Sequence, residues 1–340
     1  MRILVIGCGS IGRRHIKNLI KLNAGEILIY DKVGDIFNAS HSNPADAPNL
    51  KEMQDFGKLL AEHNIGYYDP SELHYPIDAF VIATPPDSHL FYCPMAIRHG
   101  AHMFIEKPMS NTLEYIDWVI GNAAANNLVL QVGYQMRFHP LLRRMKDWID
   151  AGEIGKVLSV DACCSYDLAR WHPGTDFLNS YTAKEGIILD ASHEIDYVRW
   201  LVDSEPSQIY SLSGKLKYPQ ITGEDTADII MRFGNGVLAN IHLDMVRQDY
   251  TRWCKVIGDQ GTTTWDFRTR DFPSGRLVLE NSSRYDIAFN DLDLNQMYLD
   301  EMQHFLDCCA GKAQPLVNGN EAKRVLQIAL AAKNGGKFIE

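Results

Sequence analysis

The tightest constraint on the fold lies at the start of the chain, in Gly7-Cys8-Gly9-Ser10-Ile11-Gly12. These residues follow an apolar, β-branched run, Arg2 to Ile6, and lead into helical periodicity from Ser10 to Leu22. A G-x-G-x-x-G match set between a strand and a helix is the fingerprint of a dinucleotide-binding turn. In that role Gly7 permits the tight turn, Gly9 lets the backbone approach a diphosphate, and Gly12 lets the helix pack close to the strand. Ser10 and Ile11 open the helix whose free N–H groups face the anion. Asp31, 19 residues beyond Gly12 at the end of the next strand, offers a carboxylate to the ribose hydroxyls. It would repel a 2′-phosphate, so NAD is the expected cofactor and NADP the less favoured one, although Lys32, Arg13 and Arg14 soften the preference.

The first part of the chain repeats this alternation. Strands are expected at Ile27 to Tyr30, Ala79 to Ala83, Met103 to Ile105 and Leu128 to Val132, and helices at Leu50 to His63, Ser88 to His99 and Thr112 to Asn126. Such repetition implies right-handed crossovers and a parallel sheet covered on both faces. After a helix at Pro140 to Ala151, stopped by Gly152, the pattern changes. Strands follow at Lys156 to Cys164, Ser207 to Leu216, Asp225 to Phe233, Val237 to Met245, Arg252 to Ile257, Thr262 to Phe267 and Arg276 to Glu280. Asn235-Gly236 and Gly258-Asp259-Gln260-Gly261 mark hairpins, and helices are expected at Asp190 to Leu201 and Asn320 to Ala332. The expected fold class is α/β: an N-terminal Rossmann domain, 1–125, with a doubly wound parallel sheet, then a C-terminal α/β domain, 126–340, with a large open, mostly antiparallel sheet. An open sheet with one bare face needs a partner, so the second domain is assigned both substrate binding and assembly into a homodimer or homotetramer.

Charge and composition remove other classes. Asp and Glu outnumber Lys and Arg, 43 to 33, and the net charge of −10 argues against a general nucleic-acid binder. No apolar run approaches the roughly 18 residues of a membrane span. Seven cysteines, an odd count without C-x-x-C spacing, read as reduced thiols of a cytoplasmic protein, and no ligand spacing for a metal is present.

Four segments carry chemistry. Glu106-Lys107-Pro108 places two charges directly after an apolar strand, where ligands of open α/β sheets collect. A lysine in a partly desolvated cleft is a usable proton donor or acceptor, although a solvated lysine after a strand is the commoner fate of this residue type. Thr84-Pro85-Pro86-Asp87-Ser88-His89 ends another strand and starts a helix, with Asp87 or Ser88 as N-cap, so Thr84, Pro85 and His89 border the same cofactor edge. Asp190 and His193 at i, i+3 would share one helix face as an acid/base unit or, equally, as a structural pair; Glu194 and Asp196 read equally as a solvated face or as helix-dipole residues. Trp171 can stack on a pyranose, and His172, Tyr181 and Arg137 can hydrogen-bond hydroxyl or acidic groups, with Arg170 and Arg137 balanced between that role and bracing.

The glycine turn, Glu106-Lys107-Pro108, Gly133-Tyr134-Gln135-Met136-Arg137-Phe138 and the Asp190 to Asp196 segment, in that order, resemble the Gfo/Idh/MocA oxidoreductase family over nearly the whole chain. The resemblance implies a Rossmann domain followed by an α/β domain, and hydride transfer between NAD(H) and a carbinol or carbonyl carbon of a sugar, cyclitol or sugar nucleotide. By motif it implies Lys107 as catalytic acid/base, Glu106 and Thr84 as neighbours of the nicotinamide ribose, and His193 as second acid/base or hydroxyl ligand. The family places its acidic residue four positions before the histidine, whereas Asp190 precedes His193 by three, which puts the transfer to Asp190 in doubt. Trp171-His172-Pro173, with Tyr181, also resembles a branch found among bacterial surface-glycan and nonulosonate-sugar genes. The rival expectations are a glycosidase, lyase or epimerase that uses tightly bound NAD transiently, as the same family includes, and a non-catalytic dinucleotide-binding protein.

Overall fold

The computed structural model describes residues 1–32, 50–72, 75–171, 178, 180–268, 274–289 and 292–338. They form two compact units, Met1–Gly133 with Tyr298–Lys323, and Tyr134–Met297 with Arg324–Glu340.

The first unit alternates β1 (Arg2–Ile6), α1 (Ser10–Lys21), β2 (Glu26–Tyr30), α2 (Leu50–Glu62), β3 (Gly66–Tyr67), β4 (Ala79–Ile82), α3 (His89–His99), β5 (His102–Glu106), α4 (Ile116–Ala125) and β6 (Leu130–Gly133). The strands lie in the order β3-β2-β1-β4-β5-β6 and every pairing is parallel. Ile3, Leu4, Val5 and Ile6 are all fully buried, because a strand in the middle of a parallel sheet is covered on both faces and has no polar side to show. The strand order reverses between β1 and β4, and the carboxyl ends of these two strands are where an open α/β sheet leaves a crevice.

The second unit begins with a 3-10 turn, Gln135–Phe138, and α5 (Pro140–Asp150). There follow β7 (Val157–Asp167), α6 (Leu168–Trp171), α7 (Tyr181–Glu185), α8 (Ile187–Asp190), α9 (Ser192–Val202) and β8 (Pro206–Gly214). Then come β9 (Thr226–Phe233) and β10 (Leu238–Asp244), which pair as one hairpin, and β11 (Val246–Gly258), β12 (Thr262–Arg268), β13 (Ser274–Glu280) and β14 (Arg284–Phe289), which pair in sequence. The chain ends in α10 (Gln296–Cys309), α11 (Gly319–Lys333) and β15 (Gly336–Phe338). Nine strands make one sheet, β14-β13-β12-β11-β7-β10-β9-β8-β15, antiparallel throughout except for β7 beside β10. Buried and exposed residues alternate along β9 and β10, so one face is packed. Trp265, Phe267, Leu277 and Leu279 fill it, while Tyr210, Leu212, Ile230 and Leu238 stay exposed.

Strands β14 and β15 add to the sequence expectation, and three helical features differ from it. The helix expected from Asp190 to Leu201 is broken at Ala191, whose φ of −91° and ψ of 30° end α8 before α9 starts. The helix expected from Thr112 begins only at Ile116, after Tyr115 in the left-handed region at φ 61°. Helix α10 was not expected at all; it carries Met302 and Phe305 into the core of Ile3, Val5, Ile29, Val81 and Phe104, with Phe305 edge-on to Phe104 at 5.6 Å.

Candidate cofactor and active site

The glycine turn has little room for anything else. Gly7 sits at φ +91°, and a Cβ there would lie 2.7 Å from the Ala83 carbonyl oxygen. A Cβ on Gly12 would lie 1.8 Å from the Gly7 oxygen, so α1 can approach β1 only without it. Gly9 faces open space, with nothing within 4 Å of its Cβ position. It is also the N-cap of α1, where no side chain caps the helix and no carboxylate occupies the first turn. An anion therefore finds the positive end of α1 without a resident competitor. Asp31, at the end of β2, accepts the Cys8 N–H through Oδ2 at 2.7 Å, which ties the ribose-side carboxylate to the turn. Burial, then the Asp31 charge, push the Cys8 thiol up to about 12, so it is a neutral filler of the turn. These residues fit a dinucleotide.

The loops after β4 and β5 belong to the same edge. Ser88 Oγ donates to Thr84 Oγ1 at 3.0 Å and to the Pro85 carbonyl at 2.8 Å, so the Ser88 side chain braces this loop rather than capping α3. His89 is fully buried, with Nε2 2.6 Å from the Thr84 oxygen and Nδ1 3.0 Å from the Pro108 oxygen. Burial lowers its pKa, and the ring ties the Thr84 loop to the Lys107 loop from behind. Lys107 is half-buried, and its bond to Pro108 is cis. Glu106, at the end of β5, accepts the Lys107 N–H at 3.2 Å through Oε2, while Oε1 lies 2.6 Å from Nε2 of the buried His15 in α1.

In the second unit the sequence candidates separate. His193 is buried in the first turn of α9, edge-on to Tyr134 at 5.5 Å. The Tyr134 hydroxyl donates to Ser192 Oγ at 3.4 Å. Asp190 does not share a helix face with His193, because the break at Ala191 leaves it at the end of α8, where it accepts a hydrogen bond from the buried Tyr166 hydroxyl. Glu194 and Asp196, read from the sequence as a solvated face or as helix-dipole residues, are fully buried ion-pair partners. Arg137 grips Asp196 with Nε at 2.9 Å from Oδ2 and Nη2 at 2.7 Å from Oδ1, and Arg252 Nε meets Glu194 Oε1 at 2.8 Å. The forked Arg137–Asp196 pair fixes α9 to the 3-10 turn and places Arg137 in a brace, and the Arg252–Glu194 ion pair fixes α9 to β11.

Of the remaining substrate candidates, Trp171 ends α6, and His172 lies outside the described residues. Tyr181 opens α7 with its hydroxyl buried. Arg170 Nη1 donates to the Gln248 carbonyl at 2.9 Å. Sequence reasoning passed over His15, Tyr166 and Asp167. The spacing Gly12-x-x-His15 was available as a signal, since it puts the histidine one turn into the fingerprint helix. Asp167 gathers the Lys217 ammonium, the Tyr218 hydroxyl at 2.9 Å, Gln248 Nε2 at 3.1 Å and the Ala169 N–H at 3.0 Å, which anchors α6 at the end of β7.

Comparison with known proteins agrees with this architecture. Residues 1–134 match the model of an oxidoreductase family with an NAD-binding Rossmann fold, and residues 142–264 match the Gfo/Idh/MocA C-terminal domain. The scyllo-inositol 2-dehydrogenase (NAD(+)) of Bacillus subtilis (strain 168) is 26% identical, covering 98% of this chain and 93% of its own length. The myo-inositol 2-dehydrogenase of Thermotoga maritima is 28% identical, covering 98% and 95%. The solved WlbA dehydrogenase from Bordetella pertussis, in complex with NADH and UDP-GlcNAcA, shares the fold with a TM-score of 0.77 at 19% identity, covering 100% of this chain and 99% of the other. The chain belongs to the Gfo/Idh/MocA family of NAD-binding oxidoreductases.

Proposed function

We propose that the protein is an NAD-dependent dehydrogenase acting on a secondary CH–OH group of a cyclitol or sugar, with Lys107 as the acid/base. The observation that carries this reading is the arrangement at the carboxyl edge of the first sheet. There the open glycine turn after β1, the Thr84–Pro85 loop after β4 and Glu106-Lys107 after β5 follow adjacent strands. The inositol dehydrogenases among the relatives support the substrate class.

When bound, the dinucleotide supplies the hydride acceptor. Gly7, Gly9, Ser10, Ile11 and Gly12 would hold its diphosphate, Asp31 the adenosine ribose, and Thr84, Pro85 and Glu106 the nicotinamide ribose. Lys107 Nζ would take the hydroxyl proton during oxidation and return it in the reductive direction. His193 and Asp190 are proposed to bind substrate hydroxyls, with Asp190 accepting from the Tyr166 hydroxyl. Trp171, His172 and Tyr181 are proposed to select the ring.

Two further parts of the reading concern assembly and place. The exposed Tyr210, Leu212, Ile230 and Leu238 on the bare face of the nine-stranded sheet support a homodimer or homotetramer built on that face. Among the described residues no helix is long and apolar enough to cross a membrane, and seven free thiols support a cytoplasmic protein.

The deciding experiment mixes purified protein, NAD and a panel of inositols, hexoses and nucleotide sugars, and follows reduced-nicotinamide absorbance. Release of NADH with one ring compound is the expected result. Cleavage or epimerisation of a sugar with NAD retained would replace this reading by the transient-redox one, and no NADH with any compound would remove it.

A further inference from the structure

The side chain behind the proposed acid/base is itself held by a residue with no role so far. His15 stands in the second turn of α1, fully buried and edge-on to Phe104 at 5.1 Å. Its Nε2 lies 2.6 Å from Glu106 Oε1, and its Nδ1 is buried without a hydrogen-bond partner among the described residues. The other carboxylate oxygen of Glu106 accepts the main-chain N–H of Lys107 at 3.2 Å. A Cβ on Gly133 would lie 3.3 Å from the Glu106 carboxyl carbon and 3.0 Å from the Phe104 ring, so a glycine at 133 leaves the carboxylate the space it occupies.

Resting on the reading of Lys107 as acid/base, we propose that His15 is a positioning residue for Lys107, acting through Glu106. A carboxylate only accepts, so the ring proton sits on Nε2 and points at Oε1. With Oε1 held by α1, Oε2 is fixed on the Lys107 amide, and the Lys107 peptide is registered on the same helix whose N-terminus faces the diphosphate. The partnerless Nδ1 costs the fold a desolvated polar atom, which an apolar residue of similar size would avoid. The gain is the fixed carboxylate. Without the imidazole donor, Glu106 is left with a buried unpaired oxygen, and it relieves this by taking a proton or by turning off the Lys107 amide.

The test compares His15→Leu, which fills the space without a donor, with His15→Gln, whose amide nitrogen can reach the Nε2 position. His15→Asn, too short to reach Glu106, replaces the leucine variant if that does not fold. Two readouts are taken. Competitive acylation of intact protein, read by mass spectrometry, gives the reactivity of the Lys107 amine relative to the other lysines and needs no turnover. In His15→Leu this reactivity is expected to change at least about threefold, and in His15→Gln to match wild type. In the dehydrogenase assay kcat is expected to fall about tenfold or more in His15→Leu, with the sugar KM within about twofold and the pH profile of kcat displaced, and to recover in His15→Gln. Equal Lys107 reactivity in all variants overturns the proposal. So does a glutamine variant no better than leucine, which would mean the ring only packs. If wild type reduces no NAD with any ring compound, the dehydrogenase reading fails on its own, and the acylation result still decides whether His15 governs Lys107.

Discussion

Lys107→Met keeps the length of the side chain and deletes the amine. It is expected to lower kcat by about 10²–10⁴-fold, the usual worth of a general acid/base, while NAD affinity measured by fluorescence titration holds. Asp196→Asn tests a different chemistry. Arg137 and Asp196 are both buried, and a single substitution strands a guanidinium in the core. A loss of about 3–5 kcal/mol in urea unfolding is expected, with a larger loss than for the paired Arg137→Met, Asp196→Leu double variant. Lys107 and the glycines were legible in the sequence because their signals are local, a charge after a strand and a fixed spacing before a helix. Asp196 and Glu194 were not, because their partners Arg137 and Arg252 are 59 and 58 residues away and nothing nearby marks the charges as paired. The helix face expected for Asp190 and His193 was lost for a local reason, since Ala191 leaves the helical region and Ser192 restarts the helix within one residue.

Helix α1 shows what an element tolerates. Gly12→Ala would drive a methyl group into the Gly7 carbonyl, so the helix must shift off β1; loss of NAD binding by calorimetry is expected, with the second unit still folded. Strand β10 carries a titrating cluster. His242 lies 2.8 Å from Asp228 and 3.0 Å from Asp244, and its hydrogen bond to Asp244, helped by Asp228 against the cost of burial, raises its pKa to about 9. Folding therefore favours the charged ring, and its contribution is whole below the unfolded value of about 6.5 and fades as pH rises through the folded value. Thermal melts of wild type and His242→Gln are expected to differ most near pH 6 and to converge above about pH 9. Equal separation at both ends would sink this assignment. The strands of this sheet were readable from alternation and from turns such as Asn235-Gly236, whereas β14 and β15 were not. They are short pieces at the two ends of the sheet, recruited by the strands already there.

The largest gap in the sequence reading is helix α10. Nothing in the composition of α10 announces that Met302 and Phe305 complete a core begun at Ile3, since a helix records that it has an apolar side but not which sheet it covers. Phe305→Ala is accordingly expected to destabilise the first unit by about 3–5 kcal/mol. A fragment ending at Gly133 should expose this surface and bind a hydrophobic dye, and appending residues 298–323 should suppress the signal. For assembly, light scattering is expected to give a multiple of the 38.5 kDa chain mass for wild type and the single mass for a Leu212→Glu, Ile230→Glu variant. The first unit takes residues from both early and late in the chain, Met1–Gly133 and Tyr298–Lys323. On the ribosome the nucleotide-binding sheet must therefore wait with its Phe104 side uncovered while 190 residues from Gly133 to Lys323 are made, about 10–40 s at ordinary elongation rates. During synthesis this half of the protein therefore shows the kind of apolar surface that chaperones recognise.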